Sequence, residues 1–182
     1  MLKKIVAIGP ESTGKSTLCT QLAAALGGVY CAEYARQYML ENGTDYDFDT
    51  LLTIAKGQMA AEAAAETALV AGPTAGGLIF LDTNQYVMKV WCEYVFNDCH
   101  RWILNHIATA PYDLYLLCRP DVPWVKDELR EYPNEKPRQQ LYHMYKDLLM
   151  HQHVPWVEVS GNYAQRFELA KRAVEKLGAS NP

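Results

Sequence analysis

The sequence predicts an α/β fold in which a central parallel sheet of five strands is covered by helices on both faces. Short apolar runs alternate along the chain with segments of helical character, an order that is typical of parallel sheets built from β-α-β units. The run GLIFLD (77–82) is apolar at successive positions, as expected for a strand that is buried on both faces. The length of 182 residues and the hydrophobic content of 49% predict a single domain, 1–182.

The first quarter of the chain supplies two strands, each followed by a helix. KIVAI (4–8) is the first buried strand, and the helix after it stops at Gly27 and Gly28, because glycine readily adopts the conformation that ends a helix. VYCA (29–32) is the second strand, and a helix begins directly after it at Glu33, where an acidic residue is favoured by the helix dipole.

A long helix is predicted next, with Asp47 or Asp49 as its N-cap and with an end at about Ala71, before Gly72 and Pro73. The remaining predicted elements are a third strand (77–82), helical sequence broken near Asn97 (84–106), a fourth strand (113–118), a fifth strand (154–159) and a closing helix (162–177). Each strand is separated from the next by a long segment, as parallel pairing requires.

The charge and the cysteine content exclude several classes of protein. The formal net charge is −4, the isoelectric point is about 5.7 and the basic residues are scattered, so no nucleic-acid partner is predicted. No apolar run is long enough to span a bilayer, so no membrane partner is predicted. The five cysteines form no CxxC pair, which indicates a reducing compartment and a cytoplasmic protein.

The segment GPESTGKST (9–17) fits the phosphate-binding motif GxxxxGK[ST], and it lies between a predicted strand and a predicted helix, as that motif requires. Successive backbone N–H groups and the helix N-terminus form an anion site for the β-phosphate of a nucleotide. Lys15 then reaches the β- and γ-phosphates, and the Ser16 hydroxyl binds Mg²⁺. The predicted cofactors are therefore ATP, or alternatively GTP, together with Mg²⁺. The predicted nucleotide-binding residues are Gly9, Glu11, Ser12, Thr13, Gly14, Lys15, Ser16 and Thr17.

A second metal ligand is predicted at Asp82, which ends the apolar run LIFLD. A carboxylate at the carboxyl end of a central parallel strand points into the crevice where open α/β sheets bind ligands. Alone, an acid after an apolar run is a weak signal. Combined with the phosphate-binding motif, it predicts that Asp82 and Ser16 together hold the metal ion.

Glu33 follows the second strand in the segment CAEYAR, at the same edge of the predicted sheet. We interpret it as a carboxylate that takes the proton of an acceptor hydroxyl and orients that oxygen toward the γ-phosphate. The assignment of the base to Glu33 rather than to Asp82 stays open. Arg36 lies one helical turn further on and is able to hold either Glu33 or the acceptor.

A basic, proline-rich excursion follows the fourth strand, with the sequence RPDVPWVKDELREYPNEKPRQQ. Solvated charge is the usual fate of such a loop. A small kinase, however, needs arginines that arrive over the transferring phosphoryl group and exclude water. We therefore predict a lid at about 119–138 that carries Arg130 and Arg138.

Seven segments, taken in order, resemble the ribosylnicotinamide kinase domain of NadR-type proteins, P-loop kinases of NAD salvage. They are GPESTGKSTL, EYAR, IAKGQ, LDTN, YDLYLLC, DVPWVKDELRE and VPWVEVSG. The resemblance implies that ATP phosphorylates the 5′-hydroxyl of nicotinamide riboside to give nicotinamide mononucleotide and ADP. Bifunctional members of the family also carry an adenylyltransferase domain upstream, so adenylation to NAD is expected to occur elsewhere.

The motifs and the resemblance together assign roles to individual residues. The expected catalytic residues are Lys15, Glu33, Asp82 and Arg130. The expected substrate-binding residues are Glu33, Tyr34, Arg36, Asp82, Asn84, Trp91 and Arg138. Relatives often carry an acid where this chain has Asn84, which argues against a metal ligand at that position. Aromatic rings such as Trp91 are candidates for stacking on the cationic nicotinamide ring, since a cation favours an aromatic face.

Two alternatives remain at the level of the sequence. The same catalytic parts would serve a kinase that phosphorylates another nucleoside or a small alcohol. A switch-like P-loop NTPase would instead use the nucleotide to control a partner, and it would need no carboxylate beside an acceptor. Glu33 and the arginines of the lid favour a kinase over a switch.

Overall fold

The computed structural model describes residues 2–71 and 77–179, and five parallel strands form one sheet in the order β2-β3-β1-β4-β5. The strands are β1 (Leu2–Ile8), β2 (Val29–Cys31), β3 (Gly77–Asp82), β4 (Leu114–Cys118) and β5 (Trp156–Val159). The helices of the described residues are α1 (Lys15–Leu26), α2 (Tyr34–Asn42), α3 (Phe48–Val70), α4 (Gln85–Phe96), α5 (Arg101–Thr109), α6 (Glu135–Met150) and α7 (Tyr163–Ala179). The predicted parallel sheet is confirmed.

Both faces of the sheet are buried, because successive side chains of a strand point to opposite sides. In β1, Ile5 and Ala7 pack with Phe80 against α1 and α7. Val6 and Ile8 face the other way and pack against α3, α4 and α6. The side chains of residues 5–8 of β1 are all fully buried. The central strand therefore has no solvent-facing side along this stretch, as its continuous apolar sequence predicts.

The helix boundaries follow local sequence signals. Asp47 caps α3 through a capping box, in which its carboxylate accepts from the Thr50 N–H at 2.7 Å. The helical sequence after β3 breaks at Asn97, whose φ of 55° is left-handed and ends α4. The α3 helix ends at Val70 with Ala71 as its C-cap, close to the predicted end, whereas Gly72 and Pro73 lie outside the described residues. Among the described helices, none combines the length and apolar character needed to cross a bilayer.

The predicted lid, at about 119–138, is irregular only in its first part. Residues 119–134 contain neither strand nor α-helix, but α6 begins at Glu135 and includes the end of the predicted lid. Pro137 lies in the first turn of α6, where backbone N–H groups have no partner within the helix and proline is tolerated. The prolines and charges of this segment are typical of an irregular loop. They therefore do not indicate that a helix begins within it.

Glu62 of α3 is an acidic residue that is buried in the core. Glu62 is 1% exposed and accepts a hydrogen bond of 3.1 Å from the Tyr112 hydroxyl. Burial raises the pKa of Glu62 to about 7, against the opposing effects of the Tyr112 hydrogen bond and of Lys4. Ionised Glu62 therefore costs folding free energy above pH 7, because the unfolded chain releases the proton near pH 4.5.

Replacing Glu62 by Gln is expected to stabilise the protein at pH 8 by about 1 to 3 kcal/mol, because the amide keeps the Tyr112 bond without a buried charge. The gain should shrink as the pH falls through 7 and vanish near 4.5, where the acid is protonated in both states. Urea denaturation at several pH values measures it. Glu66→Gln, whose carboxylate pairs with Lys4, is the control and should give no gain. Equal effects of both substitutions at every pH would contradict the prediction.

Candidate active site

The loop between β1 and α1 has a strongly bent backbone. Ser12 and Gly14 have left-handed φ values of 54° and 78°, and Gly9 has a φ of 143°. A Cβ atom at Gly9 would lie 2.6 Å from the backbone oxygen of Cys118 at the end of β4. Loops with such left-handed residues collect backbone N–H groups into a concavity that binds anions. The α1 helix, which begins at Lys15 directly after this loop, adds the positive end of its dipole.

Lys15 lies over this loop rather than in solvent. Its Nζ donates to the backbone oxygens of Pro10 at 2.9 Å and of Gly9 at 3.1 Å. The hydroxyl of Thr13 also donates to the Pro10 oxygen, at 2.8 Å. The ammonium group is therefore held at the mouth of the loop, within reach of an anion bound there.

A cavity of about 470 Å³ lies in front of the loop, at the carboxyl ends of the central strands. All eight residues predicted to bind nucleotide line it: Gly9, Glu11, Ser12, Thr13, Gly14, Lys15, Ser16 and Thr17. Five other predicted site residues also line it: Glu33, Arg36, Asp82, Trp91 and Arg130. The structure thus brings together the phosphate-binding loop, the two strand-end acids and part of the excursion after β4.

Asp82 is 1% exposed and ends β3 beside the loop. The Tyr30 hydroxyl donates to its Oδ2 at 3.4 Å, whereas its buried Oδ1 has no hydrogen-bond partner among the described residues. Burial raises the pKa of Asp82, and Lys15 and the Ser16 hydroxyl oppose that effect. A buried carboxylate oxygen without a donor, next to a hydroxyl, is the kind of oxygen ligand set that Mg²⁺ prefers. Asp82 and Ser16 therefore fit a magnesium ion.

Glu33 is the N-cap residue of α2 and has an extended backbone, with φ −66° and ψ 115°. Burial raises its pKa to about 7, and the negative charge of Asp82 adds to that effect. Lys15 and Arg36 act in the opposite direction. A carboxyl with a pKa near neutrality in a cavity is suited to accept a proton at physiological pH.

Two arginines approach the cavity from different elements. Arg36 of α2 forms a bidentate ion pair with Asp127, with distances of 2.9 and 3.1 Å. Arg130 lies in the excursion after β4, and its Nη1 donates to the backbone oxygen of Val125. Arg36 thus forms its ion pair with the excursion rather than with Glu33, one of the two partners left open by the sequence, and it still lines the cavity.

Glu11 and Ser12 contact the excursion through their side chains. The Glu11 carboxylate accepts hydrogen bonds from Trp124 Nε1 at 3.0 Å, from Glu131 N at 2.9 Å and from Tyr132 N at 2.8 Å. The Ser12 hydroxyl accepts from Val125 N at 2.9 Å. The variable positions of the phosphate-binding motif therefore hold the segment that follows β4.

Arg138 lies in α6 and is not among the residues that line the cavity. It is 5% exposed and donates from Nη2 to the backbone oxygens of Ser12 at 3.3 Å and of Val122 at 3.4 Å. The guanidinium therefore contacts the phosphate-binding loop, and its role as a substrate-binding residue stays a prediction.

Tyr34 and Asn84, which are also predicted to bind substrate, are not among the residues that line the cavity. The ring of Tyr34 packs on Gly57 of α3, where an added Cβ would lie 2.0 Å from the ring. Asn84 is the N-cap of α4, with its Oδ1 accepting from Tyr86 N at 3.0 Å. Its Nδ2 donates to the Tyr115 hydroxyl at 3.0 Å. Both side chains stabilise the elements that carry the site.

Several residues of the cavity were not expected from the sequence. The main ones are Tyr30, Met39, Tyr46, Met88, Asp127, Glu131 and Tyr163. Tyr30 is predictable in principle, because it lies on β2 opposite Phe80 in a register that carries it toward Asp82. Tyr163, half-exposed, begins α7 beside Gly14, and only the tertiary structure brings it there.

Comparison with known proteins matches nearly the whole chain. A family model described as an AAA domain matches residues 4–166. The trifunctional NAD biosynthesis/regulator protein NadR of Salmonella typhimurium is 25% identical over 183 residues, covering 97% of this chain and 44% of the relative. This chain therefore spans less than half the length of that relative.

Two solved structures share the fold. A structure of NadR protein in complex with NR has a TM-score of 0.76 and 22% identity, and the match covers 99% of this chain and 50% of that one. A deoxyadenosine kinase from M. mycoides has a TM-score of 0.62 and 16% identity, with 95% and 99% of the two chains covered. The architecture is thus a P-loop NTPase α/β fold.

The close approach of Gly9 to β4 makes a direct prediction. Gly9→Ala should destabilise the protein by about 2 to 4 kcal/mol, because the new Cβ meets a backbone oxygen and the positive φ is strained for alanine. Thermal and chemical denaturation measure the loss. Gly178→Ala is the control, because a Cβ there meets nothing within 4 Å, and its stability should be unchanged or slightly higher. Wild-type stability of Gly9→Ala would contradict the described loop.

Proposed function

We propose that this chain, which belongs to the AAA domain family, is an ATP-dependent kinase for the 5′-hydroxyl of nicotinamide riboside. One observation carries the proposal: a single cavity holds both the phosphate-binding loop with Lys15 and the strand-end carboxylate of Glu33. A kinase needs both a phosphate donor site and an acceptor site in one space. A switch-like NTPase needs only the first.

The choice of acceptor is supported by the relatives and by the charge of the cavity. The NadR structure with NR matches 99% of this chain. The cavity is lined by five carboxylates and three cationic side chains: Glu11, Glu33, Asp82, Asp127 and Glu131 against Lys15, Arg36 and Arg130. An excess of acidic side chains favours a cationic ring, and the indole of Trp91 offers an aromatic face to it.

In the proposed reaction the 5′-oxygen of the riboside attacks the γ-phosphorus of ATP. Its proton passes to the Glu33 carboxylate, the bond from the γ-phosphorus to the β,γ-bridging oxygen breaks, and ADP leaves. Lys15 stabilises the charge that develops on the phosphate oxygens. Ser16 and Asp82 would hold a magnesium ion, which would supply further charge neutralisation.

We also propose that residues 119–134, called the lid segment below, cover the reacting groups. This segment contributes Val125, Asp127, Leu129, Arg130 and Glu131 to the cavity wall. Within this segment, Arg130 is the cationic residue closest in sequence to the residues that contact Glu11. We assign it to the transferring phosphoryl group. A cover of this kind excludes water, so that the riboside rather than water receives the phosphate.

The proposed activity is tested by incubating the protein with ATP, Mg²⁺ and nicotinamide riboside and identifying the product by mass spectrometry. We expect nicotinamide mononucleotide and ADP in equal amounts. Thymidine and deoxycytidine serve as competing acceptors, and Lys15→Ala should lower the rate by about 10² or more. Free phosphate alone would favour a switch-like NTPase, and preference for a deoxynucleoside would favour another nucleoside kinase.

The two strand-end acids are expected to have separable effects. Glu33→Gln should lower the rate of transfer by about 10² or more while nucleotide affinity stays nearly unchanged, because the amide cannot take the proton. Asp82→Asn should raise the Mg²⁺ concentration needed for half-maximal activity. Steady-state kinetics and magnesium titrations of both variants measure these effects. The opposite result would be full activity of Glu33→Gln together with an inactive Asp82→Asn whose magnesium dependence is unchanged. Asp82 would then be the base, and the two assignments would be exchanged.

A further inference from the structure

The side chain of Glu11 is placed unexpectedly for a residue of a phosphate-binding loop. A carboxylate repels the nucleotide phosphates, and the motif accepts any residue at this position. Both of its oxygens are nevertheless used, because Oε1 accepts from Trp124 Nε1 and Tyr132 N, and Oε2 accepts from Glu131 N. All three donors belong to the lid segment. Hydrogen bonds to a carboxylate are stronger than neutral ones.

These contacts surround Arg130 in sequence. On its N-terminal side, Val125 N donates to the Ser12 hydroxyl at 2.9 Å. On its C-terminal side, Glu131 N and Tyr132 N donate to Glu11 at 2.9 and 2.8 Å. The backbone that carries Arg130 is therefore fixed at both ends to consecutive residues of the loop that forms the phosphate site.

We propose that Glu11 is a positioning residue that aligns Arg130 of the lid segment with the phosphate held by the loop. The proposal rests on the kinase function proposed above, and it adds a residue that acts through another. Because the Glu11 carboxylate contacts the lid segment, its loss should loosen that segment. Nucleotide affinity should stay the same or rise, because a negative charge near the phosphates is removed.

The first test measures amide hydrogen exchange in residues 124–132 without acceptor. Glu11→Gln keeps the size of the side chain but removes its charge and turns an amide NH₂ toward N–H donors. We expect exchange in this segment to become about tenfold faster or more. Glu128→Gln is the matched control, because Glu128 is an exposed carboxylate of the same segment, and its exchange should equal that of wild type.

The second test separates positioning from mere structural support. With ATP, Mg²⁺ and nicotinamide riboside, Glu11→Gln should lower the rate of transfer several-fold and raise the fraction of ATP that is hydrolysed to free phosphate. The dissociation constant of a non-hydrolysable ATP analogue should not increase. Weaker analogue binding with unchanged exchange would overturn the proposal, and so would faster exchange with an unchanged ratio of transfer to hydrolysis.

A third variant keeps the proposal testable if Glu11→Gln fails to fold. Trp124→Phe removes one donor to Glu11 and should change exchange and hydrolysis in the same direction but less. Where Glu11→Gln does fold, its effects and those of Trp124→Phe should not add in the double variant, because they act on the same contact. Additive effects would overturn the proposal. Failure to phosphorylate any riboside would overturn the proposed function instead, since exchange is measured without an acceptor.

Discussion

The parallel register between β1 and β3 is the constraint on which the candidate site depends. Ala7 lies opposite Asp82, and the Thr83 N–H donates to the Ala7 oxygen at 3.1 Å. The phosphate-binding loop and the Asp82 carboxylate therefore lie side by side at the carboxyl edge of the sheet. A slip of one residue would turn every side chain of a strand to the opposite face. Because residues 5–8 of β1 are fully buried on both faces of the sheet, such a slip would disrupt two cores at once. The register that builds the site is therefore also the one that packs the protein.

Sequence alone predicts those parts of the site that a strand end or a loop motif determines. The loop residues, Glu33 and Asp82 belong to this class, because the carboxyl ends of parallel strands meet at one edge whatever the details of packing. Arg138 and Asn84 do not, because the direction of their side chains depends on which neighbours offer partners. For Arg138 these are the backbone oxygens of Ser12 and Val122, and no pattern in the chain specifies that pairing. The start of α6 is hidden for a related reason, since proline is compatible with both a loop and a first helical turn.

The loop uses its backbone and its side chains for different tasks. Its backbone, bent by left-handed residues, forms the concavity for phosphate. The side chains of Glu11 and Ser12 contact the segment after β4, and Thr13 and Lys15 contact the loop itself. Binding of phosphate by backbone N–H groups leaves the side chains available for other contacts. One short stretch of chain is therefore able to belong to the donor site and to the wall that covers it.

The packing of Tyr34 on Gly57 has a consequence for the acceptor end of the cavity. The ring occupies the space of a missing side chain, and the Tyr34 N–H donates to the Gln58 side chain at 2.8 Å. Both contacts fix the first turn of α2 against α3, and Glu33 immediately precedes that turn. The position of Glu33 relative to the phosphate-binding loop thus depends on the absence of a side chain at Gly57 of α3. A larger residue at position 57 would meet the Tyr34 ring, so the turn that follows Glu33 would have to shift relative to α3. Because Gly57 is not among the residues that line the cavity, the space beside the acid would then change without a substitution in the cavity wall.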